Sequence, residues 1–298
     1  MSSELVSSET RLTVASNAFE KVLAVVELAK PRILLMILLT AMVGFIAAAG
    51  GATVSMLHML AGVALLGAGV GALNQYFERE SDRMMRRTER RPLPSGRVKP
   101  RVAMLFGAVT SIAGVGYLLL FANLLTGLLA VLTLVSYVFV YTPLKSRTPM
   151  STVVGAFPGA MPPVIGWVAV TDRLTVEPAV LFAIMFLWQF PHFLAIGWIY
   201  KEDYARAGIK MLPVVDPEGK VTGRQMLVNA LALIPVSVMP TALGIAGKTY
   251  FFVALVLGLF YLYFSYRAAV LKTTRQARRL LQASLVYLPI LFLMLLLG

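Results

Sequence analysis

The stretch Ser55–Asp82 reads SMLHMLAGVALLGAGVGALNQYFERESD, and it joins an apolar run to a cluster of charged side chains. The run Ser55–Phe77 is long and apolar enough for a helix that crosses a bilayer. Asn74, Glu78 and Asp82 follow one another at a spacing of four residues. On a helix this spacing drifts by about 40° per step, so the three side chains form one shallow stripe. The stretch therefore predicts a membrane helix with a polar stripe at one end.

The rest of the chain repeats the apolar pattern. Hydrophobic residues make up 58% of the 298 residues and charged residues 14%, whereas in soluble domains roughly a quarter are charged. Val102–Leu144 carries no charge and is long enough for two spans with a break near Asn123. The sequence thus predicts an all-α integral membrane protein with nine transmembrane helices. The remaining spans, besides Ser55–Phe77, are Ile33–Val54, Thr148–Thr171, Pro178–Tyr200, Gln225–Gly247, Thr249–Tyr266 and Leu280–Gly298.

The basic residues fall almost entirely in alternate connections between these spans. The net charge is +13, from 27 Lys and Arg against 14 Asp and Glu. All of the 27 except Arg173 and Lys248 lie before the first span or after even-numbered spans. Because basic residues are enriched on the cytoplasmic side, we expect a cytoplasmic N-terminus in a multi-pass membrane protein. The positive charge is then a topology signal, and no nucleic-acid partner is expected.

The first 30 residues differ from the rest in composition. They are polar and lack the apolar core of a secretory signal, so residues 1–30 are predicted to be a cytoplasmic tail. An amphipathic interfacial helix is expected around Ala18–Ala29. Residues 31–298 are predicted to form a single membrane domain. The chain has no cysteine, which excludes disulfides, thiolate chemistry and cysteine-ligated metals.

The charged side chains after the second span suit a metal-bound phosphate. Mg²⁺ is commonly held by one or two carboxylates together with water and substrate phosphates. Asn74, Glu78 and Asp82 offer oxygen ligands on one helix face, and Asn74 lies within the apolar span, where a polar residue suggests function. Nearby arginines such as Arg87 and Arg91 would bond to phosphate oxygens. A solvated helix end with ion pairs four residues apart is the alternative, and the residues alone leave both open.

A second long connection, Lys201–Arg224, has the same order of acidic and then basic residues. Asp203 offers another carboxylate, and Lys201 lies beside it. If the two connections face each other across a helical bundle, their side chains would clamp a diphosphate together with Mg²⁺. An ordinary membrane-flanking loop is the alternative.

His192 lies within the sixth predicted span, in WQFPHFLAIGWIY. An imidazole at bilayer depth is either hydrogen-bonded to a neighbouring helix or in contact with a substrate, as a haem ligand or an acid–base group.

The fifth span, STVVGAFPGAMPPVIGWVA, is rich in glycine, alanine and proline. That composition suits either close helix packing or a pocket for a large apolar substrate.

Several blocks of the sequence resemble the UbiA superfamily of membrane prenyltransferases. NQYFERESD followed by MMRRTERRPLPSG is similar to the first aspartate-rich motif of that superfamily. Further blocks between Lys30 and Val215 resemble its haem-prenylating branch rather than its quinone-pathway branches. They are KPRILLMILLTAMVG, YTPLKSRT, STVVGAFPGAMPPVIGW and FLWQFPHFLAIGWIYKEDYARAGIKMLPVV.

The resemblance implies a UbiA-type bundle of nine helices with a central cavity, capped by the two long cytoplasmic connections. The catalytic residues and Mg²⁺ ligands that it implies are Asn74, Glu78, Asp82 and Asp203. For the leaving diphosphate we expect hydrogen bonds from Arg87, Arg91, Lys145 and Lys201, with Tyr141 as a hydroxyl donor. His192 is the candidate contact with the haem acceptor. The second motif departs from the superfamily pattern, because Ala207 stands where a carboxylate is usual, and the number of bound metal ions stays open.

The activity that the resemblance implies is transfer of a farnesyl group from farnesyl diphosphate to a vinyl group of haem B, which gives haem O. Mg²⁺ is the implied cofactor, and a haem A synthase that receives the product is a further expected partner. Two alternatives remain: a prenyltransferase acting on an aromatic quinone precursor, and an organic-anion transporter. Broken helices are typical of transporters, but transporters bind their substrates near the bilayer midplane, whereas these charges lie at the ends of spans.

Overall fold

The computed structural model describes residues 20–297, and every regular element among them is a helix. Helix α1 covers residues 20–28. A π-helical segment, Ser136–Tyr141, joins α5 to α6. The helices after α1, in chain order, are α2 Pro31–Ala49, α3 Val54–Arg83, α4 Pro100–Phe121, α5 Leu124–Val135, α6 Thr142–Leu144, α7 Ser151–Gly159, α8 Met161–Thr171, α9 Val176–Ile199, α10 Lys201–Arg206, α11 Leu212–Val215, α12 Lys220–Ala242, α13 Lys248–Leu271 and α14 Thr274–Leu297.

Nine helical segments within residues 20–297 are long and apolar enough to cross a membrane, which confirms the predicted number of spans. Two of these are composite. Leu124–Leu144 combines α5, the π-helical segment and α6, and Ser151–Thr171 combines α7 and α8. Large apolar side chains such as Ile112 and Leu120 are 70% and 79% exposed on the outside of the bundle. This is the surface of an integral membrane protein, in which each spanning helix satisfies its own backbone hydrogen bonds.

Several spans extend beyond the predicted limits, and α3 and α14 do so by six residues each. The helix α3 continues past Phe77 to Arg83, so Glu78 and Asp82 are helical. The helix α14 begins at Thr274 rather than at Leu280, and its first turns carry basic residues. An apolar run marks only the part of a helix that lies in hydrocarbon, whereas the hydrogen-bonded backbone continues into the polar headgroup region.

The predicted break near Asn123 is confirmed, and the structure adds an interruption within the fifth span. Asn123 separates α4 from α5, and its side chain accepts a hydrogen bond from the backbone N–H of Thr126 at 2.8 Å. The Asn123 amide also donates to the Val168 carbonyl at 2.8 Å, which ties this break to α8. In the fifth span, α7 ends and α8 begins at Ala160, within the proline-rich sequence.

Close contact between α2 and α8 depends on glycine. A Cβ atom at Gly44 would overlap the backbone of Pro163, and one at Gly166 would overlap the carbonyl of Ala41. Small residues allow membrane helices to approach in this way. The glycine-rich composition of the fifth span therefore serves close packing at this contact.

Helix α1 lies against the bundle at the end where α3 finishes. It falls within the predicted amphipathic segment Ala18–Ala29, of which residues 18 and 19 lie outside the described residues. Ala24 and Leu28 are buried against α3 and the segment that follows it. Val22 and Val26 are 60% and 50% exposed on the other face. An apolar exposed face of this kind is typical of a helix that lies in the membrane interface.

Candidate active site

The polar stripe of α3 is buried where the helix leaves the apolar part of its span. Asn74 is 1% exposed, and the side chains of Glu78 and Asp82 are 12% and 1% exposed. Buried polar and charged groups are costly unless they are paired and hydrogen-bonded. In this protein each member of the stripe meets a basic side chain from a different segment.

Lys30 reaches Asn74 from the start of α2. Its Nζ donates to Asn74 Oδ1 at 2.5 Å, and Asn74 Nδ2 donates to Thr142 Oγ1 at 3.3 Å. Burial, together with the positive charge of Arg91, lowers the pKa of Lys30 to about 7. Lys30 is not among the predicted site residues, although its place before Pro31 at the start of the first span is a signal that could have pointed to it.

Lys145 reaches Glu78 from the turn that follows α6. Its Nζ donates to Glu78 Oε1 at 2.5 Å, and the same Nζ lies 4.5 Å from the ring centre of Tyr141. Burial by itself would lower the pKa of Lys145, but the Glu78 carboxylate and the nearby phenols hold that pKa well above its ordinary value. The structure therefore joins Lys145 and Tyr141, both predicted diphosphate ligands, to the stripe.

Arg91 covers Asp82 from the segment after α3. Its Nη1 donates to the two carboxylate oxygens of Asp82 at 2.8 and 3.0 Å. Thr88 Oγ1 donates to the backbone carbonyl of Asp82 at 2.9 Å. These contacts fold the arginine-rich segment back onto the end of α3, and an ion pair of 2.8 Å between Arg97 and Glu27 attaches the same segment to α1.

The second long connection, Lys201–Arg224, directly contacts the segment that follows α3. Asp203, whose side chain is 15% exposed, forms an ion pair with Arg206. Arg206 Nε also donates to the backbone carbonyl of Met84 at 2.9 Å. From the first connection, Arg87 Nη2 donates to the hydroxyl of Tyr204 at 3.2 Å. The two connections thus meet at one end of the bundle, as the clamp hypothesis requires.

Ala207 occupies an apolar position in this contact. It is 8% exposed and packs in a small hydrophobic cluster with Met85 and Ile209. A carboxylate in its place would be buried among apolar side chains, which is unfavourable. The alanine therefore has a packing reason, and Asp203 is the acidic residue that the second motif offers.

The α3 stripe with its basic partners, together with the contact between the two long connections, forms one charged cluster. Two predicted site residues, Lys201 and His192, lie outside it. Among the described residues, Lys201 Nζ donates to the Pro217 carbonyl at 3.3 Å and lies 5.2 Å from the ring centre of Trp198. His192 lies deeper in the bundle, where its Nδ1 is 2.7 Å from Ser284 Oγ.

The oxygen ligands of the cluster suit Mg²⁺, and in this structure each of them is bonded to a basic side chain. Within residues 20–297, no three Asp, Glu, His or Cys side chains are grouped closely enough to hold a metal ion. Amide and carboxylate oxygens are the ligands that Mg²⁺ prefers. The four oxygen-bearing side chains Asn74, Glu78, Asp82 and Asp203 are paired in turn with Lys30, Lys145, Arg91 and Arg206. This alternation of oxygen ligands and basic groups suits a metal-bound polyanion, because the oxygens would bind the metal ion and the basic groups would bind the phosphates.

The chain belongs to the UbiA prenyltransferase family, whose sequence model matches residues 37–296. It is therefore a membrane prenyltransferase, and this family membership favours the enzyme over the transporter alternative. A protein of Solibacter usitatus (strain Ellin6076) named protoheme IX farnesyltransferase is 49% identical over 278 residues, which cover 90% of this chain and 95% of that protein.

Two solved structures show the same fold at low sequence identity. A digeranylgeranylglyceryl phosphate synthase is similar with a TM-score of 0.77 and 19% identity, over 94% of this chain and 98% of that one. A UbiA homologue from Archaeoglobus fulgidus, bound to GPP and Mg²⁺, is similar with a TM-score of 0.63 and 16% identity, over 89% of this chain and 99% of that one. The expected UbiA-type helical bundle is thereby confirmed.

Proposed function

We propose that this protein transfers a farnesyl group from farnesyl diphosphate to a vinyl group of protohaem IX (haem B) and so makes haem O. The observation that carries the proposal is the charged cluster, in which oxygen ligands of α3 meet basic side chains from three separate segments. The identity of the acceptor rests on the relative named protoheme IX farnesyltransferase, which is 49% identical over 90% of the chain.

The proposed reaction forms one carbon–carbon bond and adds one water molecule. A vinyl carbon of haem B bonds to the first carbon of the farnesyl chain, while the carbon–oxygen bond to diphosphate breaks and diphosphate leaves with the electron pair. Water then adds to the cation on the haem side and releases a proton, which gives the hydroxyethylfarnesyl group. The main demand on the protein is to stabilise the negative charge of the departing diphosphate.

The charged cluster meets that demand. Mg²⁺ would be held by Asn74, Glu78, Asp82 and Asp203, and when bound it supplies positive charge that stabilises the leaving diphosphate. A UbiA homologue solved with GPP and Mg²⁺ supports the use of a metal ion, and the choice of these four residues rests on their oxygen atoms at the site. Four basic side chains are proposed to donate hydrogen bonds to the phosphate oxygens. They are Lys30, Lys145, Arg91 and Arg87, all of which lie in the cluster. Tyr141 and Lys201 complete the proposed diphosphate ligands, and Lys201 would have to leave its contact with Pro217.

We place the cluster at the cytoplasmic face of a bacterial inner membrane. The contacts of Lys30 with Asn74 and of Lys145 with Glu78 put these segments at one end of the bundle. The basic residues that predict cytoplasmic orientation fall in the connections at this same end. A cytoplasmic tail of residues 1–30, a single domain of residues 31–298 and a haem A synthase that receives the product belong to the same proposal.

A matched pair of substitutions tests the site. The protein in lipid nanodiscs would be given farnesyl diphosphate, haem B and Mg²⁺, and haem O would be measured by mass spectrometry. Asp82→Asn should lower the rate by about a hundredfold or more, because the leaving charge loses stabilisation. Asp172→Asn is the control, since Asp172 is an exposed residue between α8 and α9. A near-wild-type rate for Asp82→Asn would refute the site, and prenylation of 4-hydroxybenzoate instead of haem B would refute the acceptor.

A further inference from the structure

The imidazole of His192 is held in one orientation by a single residue of α14. Its Nδ1 lies 2.7 Å from Ser284 Oγ. The backbone carbonyl of the same serine accepts a hydrogen bond from Trp188 Nε1 at 3.0 Å. The Trp188 ring stacks on the imidazole, with ring centres 4.7 Å apart and planes inclined by 24°. Ser284 thus fixes the His192 ring at its edge directly and at its face through Trp188.

The hydrogen bonds of Ser284 also fix where the His192 proton resides. A serine hydroxyl has one proton to donate and two lone pairs that accept. Ser284 Oγ lies 2.6 Å from the backbone carbonyl oxygen of Leu281, which can only accept. The hydroxyl proton therefore goes to Leu281, and Oγ must accept the proton of His192 Nδ1. The imidazole is the Nδ1–H tautomer, so Nε2 carries a free lone pair.

The second ring nitrogen of His192, Nε2, has no hydrogen-bond partner among residues 20–297. The His192 side chain is partly buried, and Nε2 is not among the fully enclosed polar atoms without a partner in that part of the chain. A neutral imidazole with its N–H hydrogen-bonded and its other nitrogen free is the usual arrangement in a histidine that ligates a metal.

We propose that His192 Nε2 binds the iron of the acceptor haem as an axial ligand, and that Ser284 is the positioning residue that sets its tautomer and orientation. The inference rests on the proposed function, because that function brings an iron porphyrin to the protein. Haem iron readily takes a histidine ligand. Iron ligation leaves the bonds of the porphyrin unchanged, so its role is to hold the haem in place while the vinyl group reacts. His192 acting instead as an acid–base group is the competing account.

The ligation is tested by spectroscopy of bound haem rather than by activity. Full-length protein in nanodiscs would be titrated with haem B and followed by electronic absorption and electron paramagnetic resonance. Wild-type protein should give the spectrum of histidine-ligated haem, His192→Gly should lose it, and added imidazole should restore it. Ser284→Ala should weaken haem binding by about tenfold, as loss of an outer-shell partner does, and Ser284→Thr should restore it. Ser265→Ala is the control, since Ser265 is a buried serine of α13.

The outcomes separate this inference from the proposed function. An unchanged haem spectrum in His192→Gly would overturn the iron ligation, even if that variant transferred farnesyl more slowly, as an acid–base role predicts. An unchanged haem affinity in Ser284→Ala would overturn the positioning role. Farnesyl transfer would be measured in parallel by mass spectrometry. Haem O formation without histidine ligation contradicts the inference alone, whereas histidine-ligated haem without any farnesyl transfer contradicts the proposed function.

Discussion

Glu78 and Lys145 show how the charged cluster is stabilised one residue at a time. Their ion pair is short, and both side chains are largely buried, at 12% and 20% exposed. The removal of one partner from such a pair costs much more than the pair contributes, because the remaining charge is left buried and unpaired. Lys145 is therefore needed both for the fold around Glu78 and for the proposed contact with diphosphate.

Substitution of Lys145 tests this dependence. Lys145→Met should lower stability by about 3 kcal/mol, because it leaves the Glu78 carboxylate without a basic partner. Thermal unfolding in detergent micelles, followed by intrinsic fluorescence, measures the change. The control is Lys220→Met, since Lys220 pairs with Glu218 at 2.7 Å while both side chains are at least 70% exposed. That exposed pair should contribute under about 1 kcal/mol. Equal effects of the two substitutions would show that burial of the Glu78 pair is unimportant.

Ala207 gives a second prediction at the residue scale. Ala207→Asp supplies the carboxylate that the superfamily pattern has, but it places the charge in the apolar contact with Met85 and Ile209. We expect a loss of about 2 kcal/mol or more and slower haem O formation, rather than a better metal site. Ala205→Asp, on the exposed side of the same turn, should change little. Faster haem O formation by the Ala207→Asp variant would contradict the packing reason for this alanine.

At the scale of elements, the apolar runs predict which helices exist but not where they end. Nine spans and the break at Asn123 follow from composition and local sequence, whereas the interruption of the fifth span at Ala160 was not predicted. The limits at Phe77 and Leu280 were wrong by more than a turn, because charge does not end a helix that leaves the bilayer. The close contact of α2 with α8 also could not be predicted, since glycine pairs identify a crossing only once both helices are placed.

The glycine contact between α2 and α8 is testable at this scale. Gly44→Ala should destabilise the protein by about 1–3 kcal/mol, because the added methyl group overlaps the Pro163 backbone and forces the helices apart. Gly116→Ala is the matched control, since a Cβ atom there meets nothing within 4 Å. The control should be neutral or stabilising, because alanine favours helix by up to about 1 kcal/mol. Similar melting temperatures for both variants would rule out a tight crossing at Gly44.

For the whole molecule, the sequence predicted one charged end but not the pairing within it. The spacing of Asn74, Glu78 and Asp82 follows from helix geometry and needs no tertiary information. Their partners are different, because Lys30 and Lys145 lie 44 and 67 residues away from Asn74 and Glu78 along the chain. Ser284 likewise meets His192 across 92 residues. Such contacts depend on how the helices are arranged, which composition and periodicity do not specify.

Analysis of haem pigments is the decisive test of whether the whole bundle acts as a haem-prenylating enzyme. The protein would be expressed in a bacterial host without its own haem O synthesis, and the extracted haems would be analysed by mass spectrometry. We expect haem B to gain one hydroxyethylfarnesyl group, and we expect the Asp82→Asn protein, present in the membrane in equal amount, to leave haem B unchanged. Unmodified haem B in cells with abundant, folded wild-type protein would show that the bundle is not a haem prenyltransferase.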